Sequence, residues 1–307
     1  MGKIKLKDLV KLWKEDKFLF VKKSTFSTYS ILIEKHILPY FENIDEINSK
    51  NIKKFIIFKL NQGLSQKSIK DIIVVLKMVL NYGMKNNLLS YQKIDFKLPS
   101  IEIENKPQIL NKNEYKKILA YIKTHFSLKN LGIMLCLLTG MRIGEVCALK
   151  WGDIDLLNGE ITIKRTIQRI YVIDGEKRYT KVIINNPKTK NSFRQVPIIG
   201  ELLKFLKPFK KLGSDNFYII SNSEKPIEPR TYRNYYKRLL KKIGIEYIKF
   251  HGLRHSFATR CIESNCDYKT VSTILGHSSI NTTLNLYVHP NLEQKRKCVE
   301  QMFKKLS

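Results

Sequence analysis

Side chains in the second half of the chain could together carry out chemistry on a phosphodiester. They are two arginines, two histidines, a lysine and a tyrosine: Arg142, Lys188, His251, Arg254, His277 and Tyr287. Two guanidinium groups can clamp the oxygens of one phosphate, because their planar shape matches it and their charge is permanent. Histidine and lysine can transfer protons. A tyrosine hydroxyl, whose ordinary pKa is about 10, becomes a usable nucleophile beside so much positive charge.

Each of these residues lies in a short polar motif. The motifs read TGMRIGE at 139–145, PKTK at 187–190, HGLRH at 251–255, LGH at 275–277 and TTLNLY at 282–287. In residue types and order they resemble the tyrosine recombinases, also called the phage integrase family. The N-terminal third of the chain matches that family only in general character.

The resemblance implies a role for each residue. It makes Tyr287 the nucleophile, which forms a covalent 3′-phosphotyrosine with DNA. It makes the others the two catalytic arginines, the lysine of a β-hairpin and the two catalytic histidines: Arg142, Arg254, Lys188, His251 and His277. Because the bond energy is kept in the protein–DNA link, the implied reaction needs no cofactor and no metal.

The implied fold is mainly α with a small antiparallel β-sheet, an α+β fold. An N-terminal helical bundle of the SAM-like, core-binding type would precede a tyrosine-recombinase catalytic domain. The implied function is site-specific DNA recombination, serving integration, excision or resolution of a DNA element. Double-stranded DNA is the expected partner, bound by a homotetramer because strand exchange needs two duplexes. Accessory DNA-bending or excision factors would fit the same role.

Two other functions use the same residues. A type IB topoisomerase or telomere resolvase shares the catalytic set, although it usually carries different flanking domains. A DNA-binding regulator with a vestigial site is the alternative that is not an enzyme. The presence of the full set argues against a vestige, and a covalent adduct with DNA would separate an enzyme from a binder.

Single residues also have simpler interpretations. Arg142 and Glu145 are three apart and could form a surface ion pair, so Glu145 is expected to contact the arginine rather than the substrate. The spacing of His251 and His255 suits a zinc site, but no zincin glutamate and no cluster of acids or cysteines accompanies it. His255 is therefore expected to be structural or to contact a site residue rather than the substrate. Lys190 competes with Lys188, which we favour because a threonine follows it.

The composition indicates a polyanionic partner. The chain of 307 residues has 56 Lys and Arg against 27 Asp and Glu, a net charge of +29, which favours nucleic acid. Residues 1–100 carry 19 Lys and 9 acids, or +10, so both halves share the excess. An AT-rich genome that favours lysine codons is the alternative explanation.

The expected location is the cytoplasm. The N-terminus lacks the apolar run of a signal peptide, and no stretch of about 18 apolar residues follows that would cross a membrane. The cysteines are odd in number and lack C-x-x-C spacing, so we expect them to be reduced. They are Cys136, Cys147, Cys261, Cys266 and Cys298.

Hydrophobic periodicity predicts two domains and a linker. Residues 1–98 show helical spacing and are expected to form the core-type DNA-binding domain. Residues 99–110 contain two prolines and no helical period, which predicts an extended linker. Residues 111–307 are expected to form the catalytic domain with a C-terminal tail helix. Its apolar stripe, Val299, Met302, Phe303 and Leu306, could dock on a neighbour or on its own domain.

β-Branched residues concentrate between 161 and 198, where a small sheet is expected. The hairpin at 165–180 is longer than the family minimum. In integrases of conjugative transposons a comparable extension contacts DNA, and an elongated surface hairpin is the alternative. Residues 216–220 are expected to form a further short strand.

Overall fold

The computed structural model describes residues 4–42, 47–91, 96, 98, 108–174, 177–185, 193–287, 296, 299–300 and 302–304. Within these ranges the side chains of residues 174 and 285–287 are outside the description. The chain divides into two compact units. The first comprises residues 1–104 and 170–181, and the second comprises residues 105–169 and 182–307.

The first unit contains the predicted helical bundle. Its helices are α1 (Leu6–Phe20), α2 (Lys23–Leu32), α3 (Leu38–Phe41), α4 (Ser49–Asn61) and α5 (Gln66–Lys85). Asn48 and Ser65 cap α4 and α5 by accepting a hydrogen bond from a backbone N–H in the first turn. The apolar face of α5 packs against α1, α2 and α4 and closes a core around Phe41 and Phe55. The bundle is confirmed.

A π-helical turn, Ile33–Ile37, joins α2 to α3. Pro39 follows it in the first turn of α3. Proline has no N–H to donate to the carbonyl four residues earlier, and its ring crowds that carbonyl. The wider π turn is a way for the helix to continue past the proline.

The second unit is built on helices that surround one core. They are α6 (Lys112–Thr124), α7 (Leu128–Thr139), α8 (Ile143–Ala148), α9 (Gly200–Lys210), α10 (Pro229–Lys242), α11 (His251–Glu263), α12 (Tyr268–Leu275) and α13 (Ile280–Tyr287). α7 is buried almost all round and packs on α11. Tyr232 of α10 lies so close to α7 that a Cβ at Gly132 would stand 2.3 Å from its hydroxyl oxygen.

Two small sheets are present among the described residues. The strands β1 (Ile154–Asp155), β2 (Glu160–Ile163) and β5 (Arg194–Pro197) form an antiparallel sheet in the order β1-β2-β5. The strands β3 (Thr166–Asp174) and β4 (Lys177–Asn185) pair with each other as a separate two-stranded sheet. The mainly α fold with a small antiparallel sheet is confirmed, and β1 is a strand that periodicity did not predict because it is only two residues long.

The distal half of the β3–β4 hairpin belongs to the first unit. The backbone N–H of Tyr171 donates to Ser27 Oγ at 2.9 Å. Glu34 of the π-helical turn accepts from Lys14 of α1 at 3.0 Å and from Arg178 of β4 at 3.1 Å, so one carboxylate joins α1 and this turn to the hairpin. Both charges hold the pKa of Glu34 below its usual value despite partial burial, which acts in the opposite direction.

The predicted strand at 216–220 is wrong. This segment forms turns, in which Tyr218 makes isolated bridges to Lys150 and to Ser223. The chain reverses within five residues of Tyr218, so no partner runs alongside for long enough to build a ladder. The β-branched pair Ile219 and Ile220 is buried by core packing instead.

Candidate active site

A tight turn between α7 and α8 positions Arg142. Gly140 caps α7 with a left-handed φ of +66°, which favours glycine, and Arg142 lies directly before α8. A Cβ at Gly140 would stand 2.6 Å from Leu275 Cδ2 and from Phe257 Cδ1. The backbone conformation and the limited space therefore both favour glycine at this position. The turn that it forms places Arg142, the first predicted catalytic arginine, at the start of α8.

Arg142 donates three hydrogen bonds, two to Glu145 and one to the C-terminal end of α12. The Arg142 backbone N–H donates to Glu145 Oε2 at 2.8 Å, and Nη1 donates to Oε1 at 2.8 Å. Nη2 donates to the Gly276 carbonyl at 3.1 Å. The predicted contact between the two side chains is present, but Glu145 is only 5% exposed, so it is not a surface pair. The Arg142 side chain is 35% exposed and can still meet a ligand.

α11 brings His251 and Arg254 to the same place. Arg254 is 1% exposed and donates from Nη1 to the Gly140 carbonyl at 2.8 Å and from Nη2 to the Leu275 carbonyl at 2.6 Å. The rings of His251 and His255 meet edge to face, with centroids 4.6 Å apart. Among the residues that the structure describes, no group of three or more His, Cys, Asp or Glu side chains is arranged to hold a metal ion.

His277 follows a second glycine cap. Gly276 ends α12 with a φ of +65°, and the His277 N–H donates back to the Ser272 carbonyl at 3.1 Å. His277 Nδ1 lies 2.8 Å from the hydroxyl of Thr283, which is fully buried in α13. Thr283 therefore fixes the orientation of the ring, a role that its sequence context gave no reason to predict.

The C-terminal ends of α7 and α12 face the arginines. The carbonyls of Gly140, Leu275 and Gly276 accept hydrogen bonds from Arg142 and Arg254. The last carbonyls of a helix have no partner within it and carry the negative end of the helix dipole. Two helix ends thus stabilise a concentration of positive charge before any substrate is present.

Arg194 is a buried residue of this site that sequence reasoning missed. It lies at the start of β5, donates to both carboxylate oxygens of Glu145 at 3.1 and 3.0 Å, and donates from Nε to the Ile274 carbonyl at 2.5 Å. Burial would raise the pKa of Glu145, but hydrogen bonds and charge from Arg194, followed by the charge and backbone N–H of Arg142, hold that pKa below its usual value. Glu145 is therefore an anion at neutral pH.

Both predicted catalytic histidines are neutral in the free protein. Partial burial lowers the pKa of His251 to about 4, aided by the charges of His255, Arg254 and Arg142. Partial burial also lowers the pKa of His277 to about 4, aided by Arg254, Arg142 and Arg194. Each ring at neutral pH therefore has one N–H and one lone pair, and a bound phosphate would favour its protonation.

These pKa shifts predict how stability depends on pH. A histidine with a folded pKa of about 4 and an unfolded value of 6.5 favours folding at pH above 6.5, and this contribution is lost as the pH falls toward 4. In His277→Asn, whose amide can still meet Thr283, unfolding between pH 6.5 and 4 should take up about one proton fewer. Urea unfolding of both proteins across that range measures the difference. Equal pH slopes would contradict the assignment.

The side chains of two predicted site residues, Lys188 and Tyr287, lie outside the described residues. Tyr287 is the last residue of α13, which packs on α11 and α12, and its side chain lies outside the described residues. Lys188 and Lys190 fall in residues 186–192, also outside the description. The structure thus brings together Arg142, Glu145, His251, Arg254 and His277, with Arg194 added.

Family profiles identify the class of protein to which this fold belongs. The phage integrase family profile matches residues 108–294, and the profile of the phage integrase N-terminal SAM-like domain matches residues 5–60. The chain belongs to the phage integrase family of tyrosine recombinases.

Its relatives are recombinases and integrases. The chain is 33% identical to a XerC-like tyrosine recombinase of Caldanaerobacter subterraneus subsp. tengcongensis, over 97% of this chain and 83% of the relative. It is 28% identical to the ICEBs1 integrase of Bacillus subtilis, over 89% of this chain and 76% of the relative. The topoisomerase and regulator alternatives are not favoured. The chain is an enzyme that cleaves and rejoins DNA strands in site-specific recombination.

Solved structures share the fold. The Tn1549 transposon integrase, in complex with transposon right end DNA, superposes with a TM-score of 0.79 at 23% identity, covering 97% of this chain and 99% of that one. A lambda integrase tetramer bound to a Holliday junction gives 0.67 at 19% identity, covering 94% and 78%. In the described part of this chain, no helix is long and apolar enough to cross a membrane.

Proposed function

We propose that Tyr287 is the nucleophile of this recombinase and that Arg142 and Arg254 bind the scissile phosphate. The strongest support is the arginine cluster, Arg142 and Arg254, which donates to the carbonyl ends of α7 and α12. Two neutral histidines, His251 and His277, lie beside it. Fixed cations aimed at one place stabilise the charge that develops on a pentacoordinate phosphorus, because they need no reorganisation during the reaction.

The cleavage step exchanges one phosphate ester for another. The Tyr287 oxygen forms a bond to phosphorus while the bond from phosphorus to the 5′-oxygen breaks, which leaves a 3′-phosphotyrosine. The phenolic proton passes to His251 or His277, and Lys188 supplies a proton to the leaving 5′-oxygen. Rejoining reverses these transfers with a 5′-hydroxyl from the partner strand. Protons and electrons balance without a metal or a nucleotide.

A nicked duplex tests this proposal. Its sequence comes from the junctions of the DNA element that flanks the gene, and the nick lets the cleaved fragment diffuse away so that the covalent product accumulates. We expect an adduct on denaturing gels that survives EDTA, because guanidinium groups neutralise the phosphate. An adduct lost with EDTA and restored by Mg²⁺ or Zn²⁺ would support a metal-dependent nuclease instead.

The proposed assembly is a homotetramer on two paired DNA sites in the cytoplasm. The lambda integrase tetramer bound to a Holliday junction supports this by fold likeness. Val299, Met302 and Phe303 of the tail stripe are exposed in the single chain, which favours docking on a neighbour. Leu306 lies outside the described residues. Accessory DNA-bending or excision factors belong to the same proposal.

The proposed domain functions follow the predicted boundaries. Residues 1–98 would bind the core DNA site, residues 99–110 would link the domains, and residues 111–307 would carry catalysis. The hairpin at 165–180 would contact DNA, since its β4 residues Lys177 and Arg178 are exposed and basic. Its proximity to the bundle within the first unit is equally compatible with a purely structural hairpin.

A further inference from the structure

Arg194 is a buried cation, and a buried charge must be compensated by partners. The side chain is only 4% exposed. Arginine is almost never buried to this degree unless it is paired. The alternation along β5 turns Arg194 and Val196 inward and leaves Gln195 and Pro197 exposed. A hydrophobic side chain would suit that position on a core-facing strand, so the arginine must contribute something other than packing.

The partners of Arg194 are the partners of Arg142. Both guanidinium groups donate to the Glu145 carboxylate. Both also donate to the end of α12, Arg194 to the Ile274 carbonyl and Arg142 to the Gly276 carbonyl. Arg194 therefore contacts the same carboxylate and the same helix end that hold the proposed phosphate ligand, but from the buried side.

The charge balance shows what Arg194 adds. Arg142 and Glu145 alone sum to zero, and an arginine whose charge is cancelled by a contacting carboxylate attracts phosphate weakly. With Arg194 the three groups sum to +1. The second guanidinium also competes for the carboxylate oxygens, which reduces the pull of Glu145 on Arg142. Arg142 then remains anchored and retains positive charge toward the solvent side.

We infer that Arg194 is a positioning residue for DNA cleavage, which acts through Glu145 to hold Arg142 in place and to preserve its charge for the scissile phosphate. The inference rests on the proposed function. All three guanidinium nitrogens of Arg194 already donate to Glu145 or to the Ile274 carbonyl, so it should affect the rate of the chemical step rather than the affinity for DNA. It also follows Lys188 by six residues, so β5 connects the lysine-bearing segment to the arginine site.

The test compares Arg194→Met with Arg260→Met. Arg260 likewise pairs with a carboxylate and a backbone carbonyl, those of Glu263 and Leu110, and makes a matched control outside the proposed DNA-binding and catalytic residues. Single-turnover adduct formation on the nicked duplex, the Kd for that duplex and the melting temperature are measured for each. We expect Arg194→Met to slow cleavage about 10- to 100-fold, as misplacement of a catalytic group does, with a Kd changed less than about threefold. Arg260→Met should lower the melting temperature without slowing cleavage.

A second measurement does not depend on activity. In protein labelled at the arginine Nε atoms, the Arg142 resonance is identified by its absence in Arg142→Lys. Arg194→Met should shift or broaden this resonance, whereas Arg260→Met should leave it unchanged. If Arg194→Met does not fold, Arg194→Lys replaces it, since it keeps the charge but cannot reach both carboxylate oxygens and the Ile274 carbonyl together.

The outcomes separate the two proposals. An unchanged Arg142 resonance, or equal cleavage by Arg194→Met and the parental chain, would overturn the role of Arg194. If the parental chain forms no adduct that depends on Tyr287, the proposed function fails, and the resonance alone then decides whether Arg194 positions Arg142.

Discussion

Replacing Tyr287 by phenylalanine should abolish the covalent protein–DNA complex while DNA affinity changes less than about threefold. Only the attacking oxygen is lost, so the surfaces that bind DNA remain. The loss of adduct should be on the order of 10⁴-fold or more, because nothing else replaces a removed nucleophile. The measurement is single-turnover adduct formation on the nicked duplex, with affinity measured separately by gel shift.

Tyr268→Phe is the matched control for this change. Tyr268 is exposed at the start of α12, outside the arginine cluster, and the substitution removes the same hydroxyl. It should form adduct at the parental rate. An adduct that persists in Tyr287→Phe would mean that another residue attacks the phosphate, and peptide mapping of the adduct would identify it.

Lys188→Ala should cleave ordinary DNA about 10²- to 10⁴-fold more slowly and recover on a substrate with sulfur at the 5′-bridging position. A 5′-oxygen needs a proton in order to leave, and general acid catalysis typically contributes that factor. A 5′-thiolate leaves without one. The comparison of rates on the two substrates therefore isolates proton donation from every other effect of the substitution.

Two variants control this experiment. Arg142→Ala should be slow on both substrates, since sulfur does not replace phosphate binding. Lys190→Ala should cleave both substrates at parental rates. If Lys190→Ala is rescued by sulfur and Lys188→Ala is not, the general acid lies two residues further along the same segment.

The sequence was sufficient for the features that depend on local patterns. Ser65 as a helix cap, Gly276 as a left-handed stop and Arg142 at a helix start each follow from residue types within a few positions. The family motifs added the order in which the site residues occur. The contact between Arg142 and Glu145 was also predicted, since a spacing of three places them on one side of a helical turn.

The remaining features depend on contacts between distant parts of the chain. Arg194 alternates with Val196 on the inner face of β5, which is a signal that it is buried. Its partner Glu145 lies 49 residues earlier, and no local pattern encodes that pairing. Thr283 is one of two adjacent threonines, and only the packing of α13 selects it for His277. Residues 216–220 have strand propensity, but in the described part of the chain they make only the two isolated bridges of Tyr218.

The carbonyl anchors of the arginine cluster also determine which substitutions the site tolerates. Every amino acid has a backbone carbonyl, so Leu275 can change its side chain during divergence without removing an acceptor from Arg254. Other core side chains can therefore carry these acceptors, while the points at which α7 and α12 stop must stay fixed. That constraint falls on Gly140 and Gly276, two residues without a side-chain functional group, whose left-handed turns place the carbonyls that the arginines contact.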